Sequence, residues 1–251
     1  MILLMPYTDE SLYYRMTGAG TPVVYIHGAA GTGQLFANQF QAFRDIARCY
    51  FIDLPGHGQS RNTGELSLKN YADAVAGLIQ NLGESVVLLG HSMGGAIAIE
   101  VALRRPKLLR ALVLVGTGCS LPVSPKILTG LESDYEGTLD LIVRYCFSKA
   151  VDPELLAMAR ADMAKVDPAI ARTDFQICNE FDRCQDVASI AVPTYIIAGE
   201  KDVMTPPASS EQLHRLIPNS KLAVVSGGSH MAMLQQQAEF NAILRDFLVL
   251  R

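Results

Sequence analysis

With 251 residues, 49% of them hydrophobic, the chain can bury one sizeable core, or one core with an insertion, and two independent domains are not expected. A formal charge of −4, with acidic and basic residues mixed along the chain, leaves no basic stripe, which excludes nucleic acid and anionic membrane surfaces as expected partners. Cys49, Cys119, Cys146, Cys178 and Cys184 are odd in number, scattered and without C-x-x-C spacing, the pattern of reduced, buried thiols in a cytoplasmic protein, and no set of metal ligands is visible.

The opening stretch MILLMPYTDE has an apolar run too short for a signal peptide and no positive leading region, and no later stretch approaches the length of a membrane span. A soluble, unexported protein is expected. Strand-like runs rich in Val, Ile and Tyr then recur as ILLM, SLYYRM, PVVYIHG, CYFIDLP, SVVLLG, ALVLVG, VPTYIIAG and KLAVVSG. Runs apolar on both faces, most of them separated by helical segments, predict the α/β class: a mostly parallel eight-stranded sheet with helices on both faces. After the fourth run, Leu68, Tyr71, Val75, Leu78, Ile79 and Leu82 repeat at helical spacing, with Ser67 placed to cap the start and Gly83 to end it. The helix that follows the fifth run stops near Arg105 and Pro106. Residues 119–189 carry no strand-like run, a length that makes them an inserted unit rather than a loop. Within them Asp152-Pro153 and Asp167-Pro168 each read as an N-cap followed by proline at the first helical position, and LDLIVRYCF supplies an apolar face. A helical cap after the sixth strand is predicted, with 1–118 and 190–251 forming the core. Phe240, Ile243, Leu244, Phe247 and Leu248 line one face of a closing helix.

In open α/β sheets ligands bind outside the carboxyl ends of the strands, so the residues just after the runs are the informative ones. The fifth run passes straight into a helical pattern through Gly90, His91, Ser92, Met93, Gly94 and Gly95. Ser92 has two readings: a helix N-cap, or a hydroxyl projected from a sharp Gly-x-Ser-x-Gly bend as a nucleophile. The other strand ends read HGAAGTG, GEKDVMTP and GGSHMAM. The first of these lacks the Lys-Ser/Thr ending of a phosphate loop.

Taken together, the His27-Gly28 loop, DLPGHGQS at 53–60, the elbow at Ser92, the AGEKD turn and His230 resemble the α/β-hydrolase fold family, in its cap-bearing esterase-like branch. The resemblance covers nearly the whole chain from the third strand onward, while the cap matches only in position and helical character. It implies the chain order nucleophile, acid, histidine, which Ser92, Asp202 and His230 satisfy. A serine hydroxyl needs a base to take its proton, and histidine titrates in the useful range. His230 follows two glycines that let a mobile turn reach across the sheet. His214 sits in a helical, surface pattern, His91 holds the elbow's variable position, His57 shapes a loop and His27 braces the loop beside the oxyanion hole. Asp202 is read as the carboxylate that orients His230, with Glu200 as the fallback, because the turn after the sixth strand, GTGCS, offers none. Met93 N–H supplies one oxyanion donor and, by resemblance, Ala29 N–H the second, with His27, Gly28, Gly90 and Gly94 in support.

The reaction implied is cleavage of a small carboxylic ester, thioester or lactone through an acyl-enzyme, with a small-molecule acyl substrate and no cofactor. The alternatives are a carbon–carbon bond hydrolase of ring-cleavage products, whose members commonly carry tryptophan where this chain has Met231, and a ligand-binding member with weak catalysis. In the cap, Leu139, Ile142, Val143, Cys146, Phe147, Phe175, Ile177 and Phe181 are expected to supply an apolar pocket. Arg144, Arg160 and Arg172 lie in mixed-charge segments and are expected on a solvated face. Oligomeric state leaves no mark on the sequence.

Overall fold

The structure, a computed structural model, describes residues 3–4, 12–62 and 64–249. Of the opening stretch MILLMPYTDE, all but Leu3 and Leu4 lies outside the described residues. Strands β1 (Leu3–Leu4), β2 (Tyr14–Thr17), β3 (Thr21–Ile26), β4 (Ala47–Ile52), β5 (Val86–His91), β6 (Leu109–Val115), β7 (Thr194–Gly199) and β8 (Ser220–Val225) form one sheet in the order β1-β2-β4-β3-β5-β6-β7-β8. The β1–β2 and β2–β4 pairs are antiparallel and the remaining pairs parallel. The parallel register carries β3 and β5 side by side, Ile26 opposite Gly90, so the loops that follow both strands emerge at the same edge of the sheet.

Ten α-helices accompany the sheet among the described residues: α1 (Gln39–Ala42), α2 (Leu68–Leu82), α3 (Met93–Arg104), α4 (Pro125–Ser133), α5 (Tyr135–Cys146), α6 (Pro153–Met163), α7 (Pro168–Glu180), α8 (Pro207–Leu216), α9 (Ala232–Gln235) and α10 (Gln237–Val249). The start and stop signals act as read: Ser67 accepts a bond from Asn70 N–H, Gly83 closes α2 at φ 72°, and Asp152 and Asp167 cap α6 and α7 ahead of their prolines. Alternate residues of each central strand face opposite layers. Val24, Ile26, Leu88 and Leu112 pack against Tyr71, Val75, Ile97 and Leu213 of α2, α3 and α8, whereas Val23, Tyr25, Leu89 and Val113 pack against Phe240, Leu244 and Phe247 of α10. Fully burying a residue of this size contributes about 1.5–3 kcal/mol, so the two layers supply most of the hydrophobic stabilisation.

Helices α4–α7 lie between β6 and β7 and hold a third cluster of their own, built on Ile127, Leu131, Leu139, Ile142, Val143, Phe147 and Phe175. Ile177 and Phe181, at the end of α7, instead join the cluster shared with α3. This segment leaves and rejoins the sheet at one place. Ser120 bridges Asp182, Arg183 N–H donates to Cys119 O at 2.8 Å, and Cys119 and Cys184, Cα atoms 4.7 Å apart, form a disulfide. The expectation of five thiols is therefore corrected: Cys49, Cys146 and Cys178 are free and buried, while two residues 65 apart in sequence are paired by the return of the chain. Cysteine usage no longer argues for a reducing compartment. Among the described residues no helix is long and apolar enough to cross a membrane.

Candidate active site

Strand β5 gives way to α3 at a single residue, and that residue is strained. Ser92 has φ 54° and ψ −119°; it and Ala30 (φ 51°) are the non-glycine residues with positive φ among those described. Such a conformation costs on the order of 1–3 kcal/mol and persists only where its surroundings over-determine it. Here Ser92 N–H donates to Val115 O (2.9 Å), and its carbonyl accepts from Gly95 N–H (2.8 Å) and from Thr117 Oγ1 (3.0 Å). The bend is possible because a Cβ on Gly90 would stand 2.1 Å from Gly94 O, and one on Gly94 would stand 2.4 Å from Ile26 O. The Ser92 hydroxyl makes no capping bond to α3, which removes the N-cap reading.

His230 follows β8 after the connecting residues 226–229. Its Nδ1 lies 2.8 Å from Asp202 Oδ2, so Nδ1 carries a proton that it donates to the carboxylate. Asp202 is buried after β7 and also accepts from Met204 N–H (2.8 Å), Thr205 N–H (2.9 Å) and Thr205 Oγ1 (2.8 Å). Burial alone would raise its pKa, but His230 and the Thr205 bonds outweigh it and hold the carboxyl below the usual range. Glu200 stands elsewhere: it is exposed, and its carboxylate accepts from Gly227 N–H at 2.7 Å. The turn read as mobile is tethered, since His91 Nε2 donates to His230 O (2.9 Å) and Met231 N–H donates to Cys146 O (3.1 Å). His91 is fully enclosed; burial, then the neighbouring His230, lowers its pKa to about 3, so it braces this turn as a neutral ring. His214 is exposed on α8 beside Ser220.

After β3 the chain runs through His27, Gly28, Ala29 and Ala30. Leu54 N–H donates to His27 Nε2 (3.0 Å), which leaves Nδ1 to donate to Gly28 O (2.8 Å). Burial and the facing His57 keep His27 uncharged. Ala30 N–H donates to Asp174 Oδ2 (2.9 Å), a fully buried carboxylate on α7 that also meets His57 Nε2 (2.8 Å) and Tyr71 OH (2.8 Å). Asp53 shapes the adjoining loop by accepting from Gly33 and Gln59 N–H. Met93 is the first residue of α3, where a helical N–H has no intrahelical acceptor.

Ser92, His230, Gly28, Ala29 and Ala30 open onto a cavity of about 550 Å³. Its walls come from the loops after the strands and from α4–α7, with Ile127, Ile142, Val143, Cys146, Phe147 and Phe175 among them. Leu139, Ile177 and Phe181, read as pocket residues, do not line it; they are spent in the packing clusters. No lysine or arginine lines the cavity among the described residues, and Asp162 is its carboxylate. Arg160 is turned outward to Asp140 (2.8 Å) and Glu136. Burial raises the Cys146 thiol well above its usual pKa, so it offers no competing thiolate. Among the described residues no group of three or more His, Cys, Asp or Glu could hold a metal ion.

A mostly parallel sheet with a strained serine at a strand-to-helix turn, set above the carboxyl ends of the strands, is the arrangement found in hydrolases of the nucleophile-elbow class. A profile of the alpha/beta hydrolase family matches residues 23–243, and the chain belongs to that family. The chain is 31% identical over 250 residues to the polyketide synthase ThaQ of Burkholderia thailandensis, an alignment that takes in 92% of this chain but spans 12% of that protein. It is 26% identical to the pimeloyl-(acyl-carrier protein) methyl ester esterase of Neisseria meningitidis serogroup C, over 93% of this chain and 95% of that one. Among solved structures, a thermophilic esterase superposes with a TM-score of 0.84 at 37% identity, over 94% of this chain and 93% of that chain.

Proposed function

We propose that the chain is a serine esterase that cleaves neutral carboxylic esters through an acyl-enzyme on Ser92. Family membership and the esterases among its relatives make it a hydrolase acting on ester bonds. The observation that carries the finer reading is the strained Ser92 sharing one cavity with a His230 whose Nδ1 is held by Asp202. In this reading Ser92 Oγ attacks the ester carbonyl while His230 Nε2 takes its proton. Asp202 keeps the tautomer and stabilises the imidazolium that forms. The carbonyl oxygen becomes negative in the tetrahedral intermediate and takes bonds from Ala29 and Met93 N–H, each donor worth about 3–4 kcal/mol in comparable enzymes. Collapse expels the alcohol, which leaves with the proton from His230, and water repeats the cycle on the acyl group.

Residues 119–189 act as a cap over the core of 1–118 and 190–251, and they select the substrate. A cavity with apolar walls and without a cation favours a neutral acyl chain, each buried methylene adding about 0.8 kcal/mol until the space is filled. A fluorophosphonate is expected to label Ser92 stoichiometrically, and Ser92→Ala to lose both labelling and ester hydrolysis. Across p-nitrophenyl esters of rising length kcat/KM should climb and then level, with a matched ester bearing a free carboxylate far poorer. Turnover retained in Ser92→Ala, or preference for the carboxylate, refutes the respective part.

A further inference from the structure

We infer that the buried Asp174–His57 pair positions the Ala29 oxyanion donor from outside the core, which makes α7 a working part of the acyl-transfer site as well as a wall over it. The inference rests on the reading of Ala29 N–H as an oxyanion donor.

The geometry of two peptide planes carries it. Gly28 C=O and Ala29 N–H belong to one peptide unit, and no cis peptide occurs among the described residues, so the two groups point in opposite directions. Gly28 O is pinned by His27 Nδ1 (2.8 Å) and Gly31 N–H (3.2 Å), which directs Ala29 N–H the other way. The next peptide unit, Ala29 C=O with Ala30 N–H, is pinned by Asp174 Oδ2 at 2.9 Å. Ala30 itself sits at φ 51°, a conformation an alanine does not hold unaided. One pinned plane carries Ala29 N–H itself, and the plane held by Asp174 joins it at the Ala29 Cα, so the carboxylate restricts how far the first can turn.

Packing alone does not account for a carboxylate at this place. Asp174 is fully buried, and an enclosed charge is costly unless it is paired and hydrogen-bonded. Its Oδ2 takes Ala30 N–H and His57 Nε2, and its Oδ1 takes the Tyr71 hydroxyl. The His57 ring lies between two acceptors, Pro55 O at Nδ1 (3.1 Å) and Asp174 at Nε2 (2.8 Å), a setting that favours the doubly protonated ring. Burial opposes that charge, but the bond and charge of Asp174 prevail and raise the pKa of His57. The hydrogen-bonded pair is thus enclosed between α7, the loop after β4 and the oxyanion loop. Its role is orientation: the strained backbone at Ala30 is its direct contact, and no atom of the pair is needed for proton transfer at Ser92.

Asp174→Asn keeps the shape and removes the charge. With p-nitrophenyl butyrate, kcat is expected to fall roughly 10- to 100-fold, the scale of a donor misplaced rather than deleted, with KM within about twofold of wild type. The Ki of an alkyl boronic acid, which forms a tetrahedral adduct on the serine, should weaken by the same factor as kcat/KM, and His57→Gln should show a smaller loss with the same split. A folded Asp174→Asn with wild-type kcat overturns the inference, as does a loss confined to KM with boronate affinity intact, because α7 would then only wall the pocket. Whichever variants fold, the Ala30 amide of the wild-type protein should resonate downfield and exchange slowly; fast exchange also overturns it. Fluorophosphonate labelling separates the two levels: failure to label the wild-type protein defeats the esterase reading itself, whereas normal labelling with an unaffected Asp174→Asn defeats only the positioning role.

Discussion

Replacing His91 by glutamine tests the electrostatics of the site through folding stability. His91 Nε2 donates to His230 O, its Nδ1 has no hydrogen-bond partner, and burial pushes its pKa down to about 3. A histidine in the unfolded chain titrates near 6.5. Above that value both states are neutral and pH has no effect through this ring. As pH falls below it the unfolded chain takes up a proton that the native state refuses, so stability is lost until the folded value is reached. At pH 4.5 the interval is two units, about 3 kcal/mol. Glutamine retains an N–H donor for His230 O and does not titrate. Urea unfolding of both proteins at pH 7.5 and pH 4.5 should show the wild type losing about 3 kcal/mol more than His91→Gln on acidification, whatever the variant costs at neutral pH. His27 is shifted in the same direction but is common to both proteins and cancels. Parallel pH profiles would refute the reasoning, since they would mean that His91 is protonated, or solvated, in the native state.

Asp202→Asn should fold and lose on the order of 10⁴ in kcat by disturbing the His230 tautomer, while Glu200→Gln, at the surface turn of Gly227, stays near wild type. A loss below tenfold in the first, with a larger one in the second, would move the role to Glu200. Cys119→Ser with Cys184→Ser removes a link between residues 65 apart, and the chain-entropy account sets the cost at about 4 kcal/mol. An unfolding midpoint in urea that is unchanged by the double replacement and by reductant would show that the pair does not form.

The residues that strand ends announce were legible. Gly90, Ser92 and Gly94 crowd a strand-to-helix join that small residues alone permit, and local pattern suffices to see it. His230 and Asp202 were legible by their position after predicted strands, because a parallel sheet gathers such residues at one edge whatever lies between them. Thr205, three residues past Asp202, carries no signal of its own in the sequence although its hydroxyl and N–H complete the shell around that carboxylate; a threonine beside an aspartate reads as an ordinary turn. The Cys119–Cys184 pair leaves no mark in the spacing for a related reason. Spacing motifs describe local pairings, and this one is created where a long insertion returns to its starting point.

Asp174 marks the limit of pattern reading more sharply. It lies on α7 beside Phe175 and three residues before Ile177, yet these neighbours face three surroundings: Asp174 meets the loop after β3, Phe175 the cavity, and Ile177 the cluster shared with α3. Helical periodicity identifies a buried stripe without saying what the stripe is buried against. In a helix that packs on one layer the distinction is nearly idle, as in α2, where the apolar positions read from the sequence pack into one cluster and Tyr71 also reaches Asp174 through its hydroxyl. In a helix laid across the mouth of a sheet, one stripe must satisfy a core, a cavity and a strained loop together. The residues that shape the substrate space are chosen under all three demands, so an apolar side chain there carries no specificity that its type alone reveals. The polar exception does. A buried carboxylate has to be matched by donors wherever it lies, and those that match Asp174 come from three elements: Ala30 N–H on the loop after β3, His57 after β4 and Tyr71 on α2.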